Sequence, residues 1–182
     1  MNQLRMVKPD ISVLPEANIP GGYELRVLRE DEKTKWEGLC FKAFGSKHDF
    51  KSVIEDKKGY APDGVFVITD ITDITGKDKL IATGTALLDC NDNGYGYVHM
   101  IAADPDYSGK KLGYEITAAV LRRLRGGGFD KAELTTDDFR LPAIKTYLNL
   151  GFVPDMSVDE TMRGRWEKIY IILNLGNEAM FV

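Results

Sequence analysis

The stretch DPDYSGKKLGYEI, residues 104–116, decides the fold. Leu112, Ile116, Val120 and Leu124 recur at helical spacing, which predicts a helix from about Gly109. Its first turn then carries Lys110 and Lys111, the wrong sign of charge. Unpaired N–H groups give a helix N-terminus a partial positive charge that lysines oppose by a few tenths of a kcal/mol each. A bound anion reverses that balance: backbone N–H groups, the Ser108 hydroxyl, two lysines and the side-chain-free Gly109 and Gly113 make a cradle for a phosphate. The spacing is neither G-x-x-x-x-G-K-[ST] nor G-x-G-x-x-G, so neither the P-loop nor the dinucleotide fingerprint applies.

Outward from this loop, the upstream sequence reads as strands and helices in turn. YELRVL alternates as a strand, Trp36, Leu39, Cys40, Ala43 and Phe44 mark a helix closed by Gly45, and HDFKSVIEDKK reads as a shorter helix with Asp49 as its cap. GVFVITD and LIATGTALLD are strands around the polar turn DITGKDK. Asn93-Gly94 signals a hairpin into YGYVHMIAA, residues 95–103. Downstream, the helix stops at Gly126, Gly127 and Gly128, KAELTT is a strand, and LPAIKTYLNLGF is a helix entered through Pro142 and terminated at Gly151. EKIYIILNL is expected as a closing strand. Together these predict one α/β (α+β) domain, a mixed central β-sheet flanked by helices. Residues 1–22 are expected as an N-terminal extension packed on the domain, with a short strand around Ile11, Val13 and Leu14, and residues 23–182 as the domain itself.

Composition bounds the setting. The 182 residues, 43% hydrophobic, suit a single core. A net charge of −4 and a pI near 5.3 argue against non-specific nucleic-acid or anionic-membrane binding, and suit a cationic substrate. An electrostatic nucleic-acid surface at Lys110, Lys111, Arg122, Arg123 and Arg125 is disfavoured on the same ground. Two cysteines, Cys40 and Cys90, are too few for a disulfide framework or a cysteine-rich zinc site and fit a reducing, cytoplasmic setting. No stretch reads as a signal peptide or a membrane span, and His48 and His99 have no metal-ligand spacing.

The loop resembles the acetyl-CoA-binding motif of the GNAT acyltransferase superfamily, Gln/Arg-x-x-Gly-x-Gly/Ala after a strand and a proline. Pro105 and Gly113 match it, Ser108 stands at the Gln/Arg position and Lys111 at the first glycine. A second signature follows in AIKTYLNLGFVP: Ala143, Tyr147, Gly151 and Phe152 match Asn-x-x-Ala-x-x-x-Tyr-x-x-x-Gly-Phe, with Arg140 in place of the asparagine. Two motifs in order at the right separation extend the resemblance over roughly residues 64–154.

The resemblance implies a GNAT-like fold with strands splayed at a coenzyme A cleft, and acetyl transfer from acetyl-CoA to an amine in a direct-transfer ternary complex. It places the pyrophosphate on Ser108, Gly109, Lys110, Lys111, Leu112, Gly113 and Tyr114. It also places pantetheine and the thioester oxygen on the main chain of Met100, Ile101, Ala102 and Ala103, where one backbone donor is worth about 3 kcal/mol to an oxyanion. Tyr147 aligns with the tyrosine that protonates the leaving sulfur. His99 sits where related arylalkylamine acetyltransferases hold a base, the alternative being a histidine hydrogen-bonded at the sheet surface; strand alternation groups it with Tyr95, Tyr97 and Ile101, opposite Val98, Met100 and Ala102. Arg140 either binds coenzyme A or sits in solvent.

Other residues weigh less. His48 reads as solvent-exposed in a polar turn, and Cys40 and Cys90 as packed rather than nucleophilic. Asp137 and Asp138 either attract a cationic acceptor or form a solvated turn. Trp36, Phe41, Phe44 and Phe50 fall where the first helices wall the acceptor site, most of them as core. The acceptor is open: a small amine, an amino acid, or a peptide N-terminus or lysine. A module of the same fold that binds acyl-CoA without turnover is the competing reading. An exposed edge at the expected C-terminal strand leaves room for a homodimer.

Overall fold

The computed structural model describes residues 2–72, 78–88 and 94–176. Cys90, Asn93 of the expected hairpin turn and most of DITGKDK lie outside the described residues. Seven strands form one mixed sheet: β1 (Leu4–Lys8), β2 (Tyr23–Val27), β3 (Val65–Asp70), β4 (Lys79–Leu87), β5 (Gly96–Ala103), β6 (Ala132–Thr136) and β7 (Val153–Pro154), in the order β2-β3-β4-β5-β6-β1-β7. Among the described residues four α-helices accompany them: α1 (Lys33–Phe44), α2 (Leu112–Gly126), α3 (Leu141–Asn149) and α4 (Met162–Ile172). Between α1 and β3, where a short helix capped by Asp49 was expected, Lys51–Glu55 forms a five-residue π-helical turn whose N-cap position is Phe50; Asp49 accepts the Ser52 N–H just before it.

Two elements differ from the sequence expectation. EKIYIILNL is not a strand; it belongs to α4. The run Ile169-Tyr170-Ile171-Ile172 is β-like taken alone, but the buried set is Met162, Trp166, Ile169 and Tyr170, a helical stripe beginning upstream of that run. Among the described residues there is therefore no C-terminal strand edge of the kind that left room for a homodimer. At the other end, Ile11, Val13 and Leu14 form no strand; the strand is Leu4–Lys8, and it pairs antiparallel with both β6 and β7. Leu4 and Met6 enter the core while Arg5 reaches the other way, donating from Nε to Glu133 on β6 at 2.8 Å and pairing with Asp155 beyond β7. The chain's first strand thus occupies an interior sheet position.

The core has two sides at β5. Trp36, Cys40, Phe50 and Ile54 pack with Ala102 beneath α1, and Trp36 Nε1–H donates to Thr83 at 2.9 Å. Ile116, Val120, Leu121 and Leu124 of α2 cover the opposite face, joined by Tyr147, Phe152, Trp166 and Tyr170. Cys40 is fully buried, and burial pushes its thiol up to about 12, so it is a packed side chain with no nucleophilic thiolate.

β5 contains the irregularity that shapes the site. Thr85 pairs with His99 and Thr83 with Ala102, so one residue of β4, Gly84, opposes two of β5, Met100 and Ile101, a bulge in which Met100 adopts φ 49°. The expected alternation holds through His99 and then slips by one: Met100 and Ala102 pack on the α1 side, while Ile101 turns toward α2. Gly84 makes this possible, because a Cβ there would stand 2.6 Å from Ile101 Cδ1.

Candidate active site

β5 and β6 run parallel but pair only at Gly96 with Ala132 and Tyr97 with Glu133. Beyond Tyr97 the strands diverge, as expected for splayed strands, and the gap opens into two connected clefts. The larger, about 780 Å³, is lined by Ile101, Ala102, Ala103, Ser108, Gly109, Lys111, Leu112, Gly113, Tyr114, Arg140 and Tyr147 among others. The smaller, about 270 Å³, is lined by Tyr97, His99, Met100, Thr135, Asp137, His48 and Gln3 among others. Phe44, Ile101, Arg140, Ala143 and Tyr147 border both, so the clefts meet there.

The loop at the head of α2 is shaped by one 3-10 turn and two residues of positive φ. Pro105–Tyr107 make one 3-10 turn, Asp104 accepting the Asp106 N–H at its start, and α2 begins at Leu112 rather than near Gly109. Both lysines therefore precede the helix. Gly109 has φ 80° and Lys111, the helix N-cap, φ 58°, so the lysine adopts the left-handed conformation a glycine would take freely, at a cost of about 1 kcal/mol. A Cβ added at Gly109 or Gly113 would meet no atom within 4 Å, which leaves open space over the loop for a ligand. The two lysines are used differently. Lys111 lines the cleft, whereas Lys110 does not; its Nζ lies 5.4 Å over the Tyr23 ring.

Beneath the loop, Asp104 is buried between two cations, Lys42 at 2.8 Å and Lys79 at 3.1 Å. Burial alone would raise its carboxyl; the hydrogen bonds from Lys42, the Asp106 N–H and Lys79 bring it below the usual carboxylate range instead. Lys79 also sits 4.6 Å over the Tyr107 ring, and the Tyr107 hydroxyl donates to Asp70 at 2.8 Å. Lys42 and Lys79 are thereby committed to holding the loop, leaving Lys111 on the loop and Lys145 on α3 as the lysines that line the cleft.

Tyr147 stands where the clefts join. Leu141–Asn149 presents Ile144 and Tyr147 to the core, and the Tyr147 ring meets Phe152 edge-on at 6.0 Å. Burial raises its pKa above the ordinary phenol value, so it is a neutral O–H donor at neutral pH. His99 lies in the smaller cleft, half-buried. Its Nε2 is 2.8 Å from the Val53 carbonyl, which can only accept, so Nε2 carries the hydrogen and Nδ1 the lone pair. Burial lowers its pKa below the ordinary imidazole value, which keeps it neutral and basic at physiological pH.

Arg140 also takes a definite place. Its guanidinium stacks 4.6 Å over Phe44 and 5.4 Å over Phe139, and Nε donates to Asp137 at 2.9 Å. Asp138 is turned away and pairs with Arg165 of α4. Of the expected aromatic wall, Phe44 borders both clefts, Trp36 and Phe50 are core, and Phe41 is exposed. His48 differs from expectation: it packs edge-on to Phe44 at 5.2 Å and lines the smaller cleft. Gln3 was not among the sequence candidates at all. Among the described residues there is no group of three His, Cys, Asp or Glu side chains arranged for a metal, and no helix long and apolar enough to cross a membrane.

A sheet split beside a glycine-containing loop at a helix start, with a buried tyrosine at the split, matches a known class. Residues 27–152 match the acetyltransferase (GNAT) family, and the chain belongs to that family. It is 30% identical over 161 residues to a mycothiol acetyltransferase of Thermobispora bispora, covering 81% of this chain and 52% of that one. It is 27% identical over 158 residues to a second, from Nocardioides sp., covering 78% and 53%. The chain thus spans about half the length of these curated relatives. Among solved structures, a GCN5-related N-acetyltransferase from Sphaerobacter thermophilus superposes with a TM-score of 0.65 at 16% identity, over 85% of this chain and 50% of that one. A GNAT-family acetyltransferase from Colwellia psychrerythraea gives 0.61 at 13% identity, over 84% and 53%. At such identities the superpositions speak for the fold.

Proposed function

We propose that this protein transfers an acetyl group from acetyl-CoA to an amine, with both substrates bound together. The observation that carries this reading is the meeting at Tyr147 of a cleft lined by the loop at the head of α2 and a second cleft lined by His99 and Tyr97. The pyrophosphate rests on Ser108, Gly109, Lys111, Leu112, Gly113 and Tyr114, and the diverging edge of β5 at Met100, Ile101, Ala102 and Ala103 offers main-chain groups to pantetheine and the thioester oxygen. The amine enters from the smaller cleft.

The chemistry needs a base and an acid on opposite sides of the thioester. His99 Nδ1, directly or across one water, takes a proton from the amine as its nitrogen bonds to the thioester carbon. When the carbon–sulfur bond breaks, the Tyr147 hydroxyl gives its proton to the thiolate, whose free-thiol pKa of about 8.5 makes the transfer undemanding. The curated relatives are named mycothiol acetyltransferases, which supports a small-molecule acceptor. We place the reaction in the cytoplasm, as the composition suggests.

Two readings separate on one experiment. Coenzyme A should raise the melting temperature, and acetyl-CoA with a panel of primary amines (an amino acid, an aminosugar, a polyamine and an arylalkylamine) should release thiol. No stabilisation at millimolar coenzyme A would overturn the proposal; stabilisation without release for any amine would favour a binding module.

A further inference from the structure

One wall of the smaller cleft is a row of hydrogen bonds whose direction is set at one end. Asp137, ion-paired to Arg140, is a carboxylate that only accepts. It takes the Arg140 Nε–H at 2.9 Å on one oxygen and the Gln3 amide N–H at 3.0 Å on the other. The Gln3 carbonyl oxygen must then face Thr135, which donates to it at 3.0 Å. With its one hydrogen used, the Thr135 hydroxyl accepts from Tyr97 at 2.7 Å. The Tyr97 hydrogen is committed in turn, so its oxygen can meet a substrate only as an acceptor. Gln3, Tyr97, Thr135, Asp137 and Arg140 all line this cleft.

Tyr97 and His99 are neighbours on the same face of β5, their rings 5.8 Å apart. The His99 Nε2–H is spent on Val53, so both groups confront the cleft as hydrogen-bond acceptors. An amine at neutral pH is an ammonium with several N–H donors and no acceptor, whereas an alcohol offers one donor.

We propose that Tyr97 receives a hydrogen bond from the acceptor substrate's nitrogen, and that Gln3 and Asp137 are positioning residues that impose this polarity through Thr135. The relay then selects amines over alcohols and draws the residues before β1 into substrate recognition. This inference rests on the acetyl-transfer reading above.

The test uses the full chain, acetyl-CoA and whichever panel amine gives the highest kcat/KM. Gln3→Met keeps the side chain's length without its hydrogen bonds, and Gln3 is exposed, so folding is not at stake. It should raise the KM for the amine about fivefold to tenfold, the size expected for one lost relay contact. Tyr97→Phe should do the same, and both variants should keep the KM for acetyl-CoA within about twofold. Because the residues act through one chain, the double variant should be little worse than Tyr97→Phe alone. An unchanged amine KM in Gln3→Met, an equal rise in both KM values, or strictly additive losses would overturn the relay. If coenzyme A stabilises the protein but no amine yields thiol, the acetyl-transfer reading has failed and takes this inference with it, a result distinct from the other three.

Discussion

His99 Nε2 and the Val53 carbonyl oxygen lie 2.8 Å apart, and this contact joins the π-helical turn after α1 to the bulged strand β5. It fixes which imidazole nitrogen is free, and burial keeps that nitrogen unprotonated. His99→Gln retains an N–H donor for Val53 without a basic nitrogen, and kcat should fall about 100-fold, the lower range for losing a general base.

The pH dependence follows from the same geometry. Because the folded-state pKa of His99 lies below the ordinary value of about 6.5, the base stays competent down to a lower pH than a surface histidine would. In a kcat profile the acid limb should fall below pH 6.5, and it should vanish in His99→Gln. A limb unmoved by the substitution would assign the titration to another group.

Tyr147→Phe keeps the ring against Phe152 and removes only the hydroxyl. We expect kcat to drop about 10- to 100-fold while the Kd for coenzyme A, read by calorimetry, stays within about twofold. An unchanged kcat would take the proton-donor role from Tyr147.

The two lysines should separate cleanly. Lys111 lines the cleft and Lys110 leans on Tyr23, so Lys111→Ala should weaken coenzyme A binding about fivefold more than Lys110→Ala does, and the difference should shrink as salt is raised. Equal losses would place the phosphates elsewhere on the loop.

Asp104 holds the loop from below. Asp104→Asn leaves Lys42 and Lys79 without their shared carboxylate and should cost about 2–3 kcal/mol in urea unfolding, with a raised KM for acetyl-CoA. Its folded pKa is depressed, so the stabilisation is present at neutral pH and is lost as pH falls below about 4 through that folded value. The gap between wild type and variant should therefore be flat above pH 4 and close below it.

At the far side of the sheet, Leu4→Ala should destabilise the protein by about 3 kcal/mol, because Leu4 is fully buried in an interior strand. A loss below about 1 kcal/mol would mean that β1 contributes little to the core.

What the sequence made legible was local. The α2 stripe and the α3 motif each lie within about fifteen neighbouring residues, where period and spacing suffice. α4 was misread because a window starting at Glu167 excludes Met162 and Trp166, half of its buried stripe. Leu4 and Met6 do alternate with Arg5 and Val7, but their partners on β6 and β7 stand more than 120 residues away, and five residues carry little signal alone. The bulge at Met100 has no sequence mark, since a methionine replaces the glycine that would have advertised positive φ. Gln3 and His48 join the cleft only through tertiary packing, so nothing near them in the chain could reveal it.

The central claim is tested most directly by incubating the protein with acetyl-CoA and the amine panel and following products by mass spectrometry. The account predicts an acetylated amine and free coenzyme A in equal amounts, both abolished together in the His99→Gln, Tyr147→Phe double variant. Coenzyme A formed without any acetylated amine, or no product from a protein that binds coenzyme A, would contradict it.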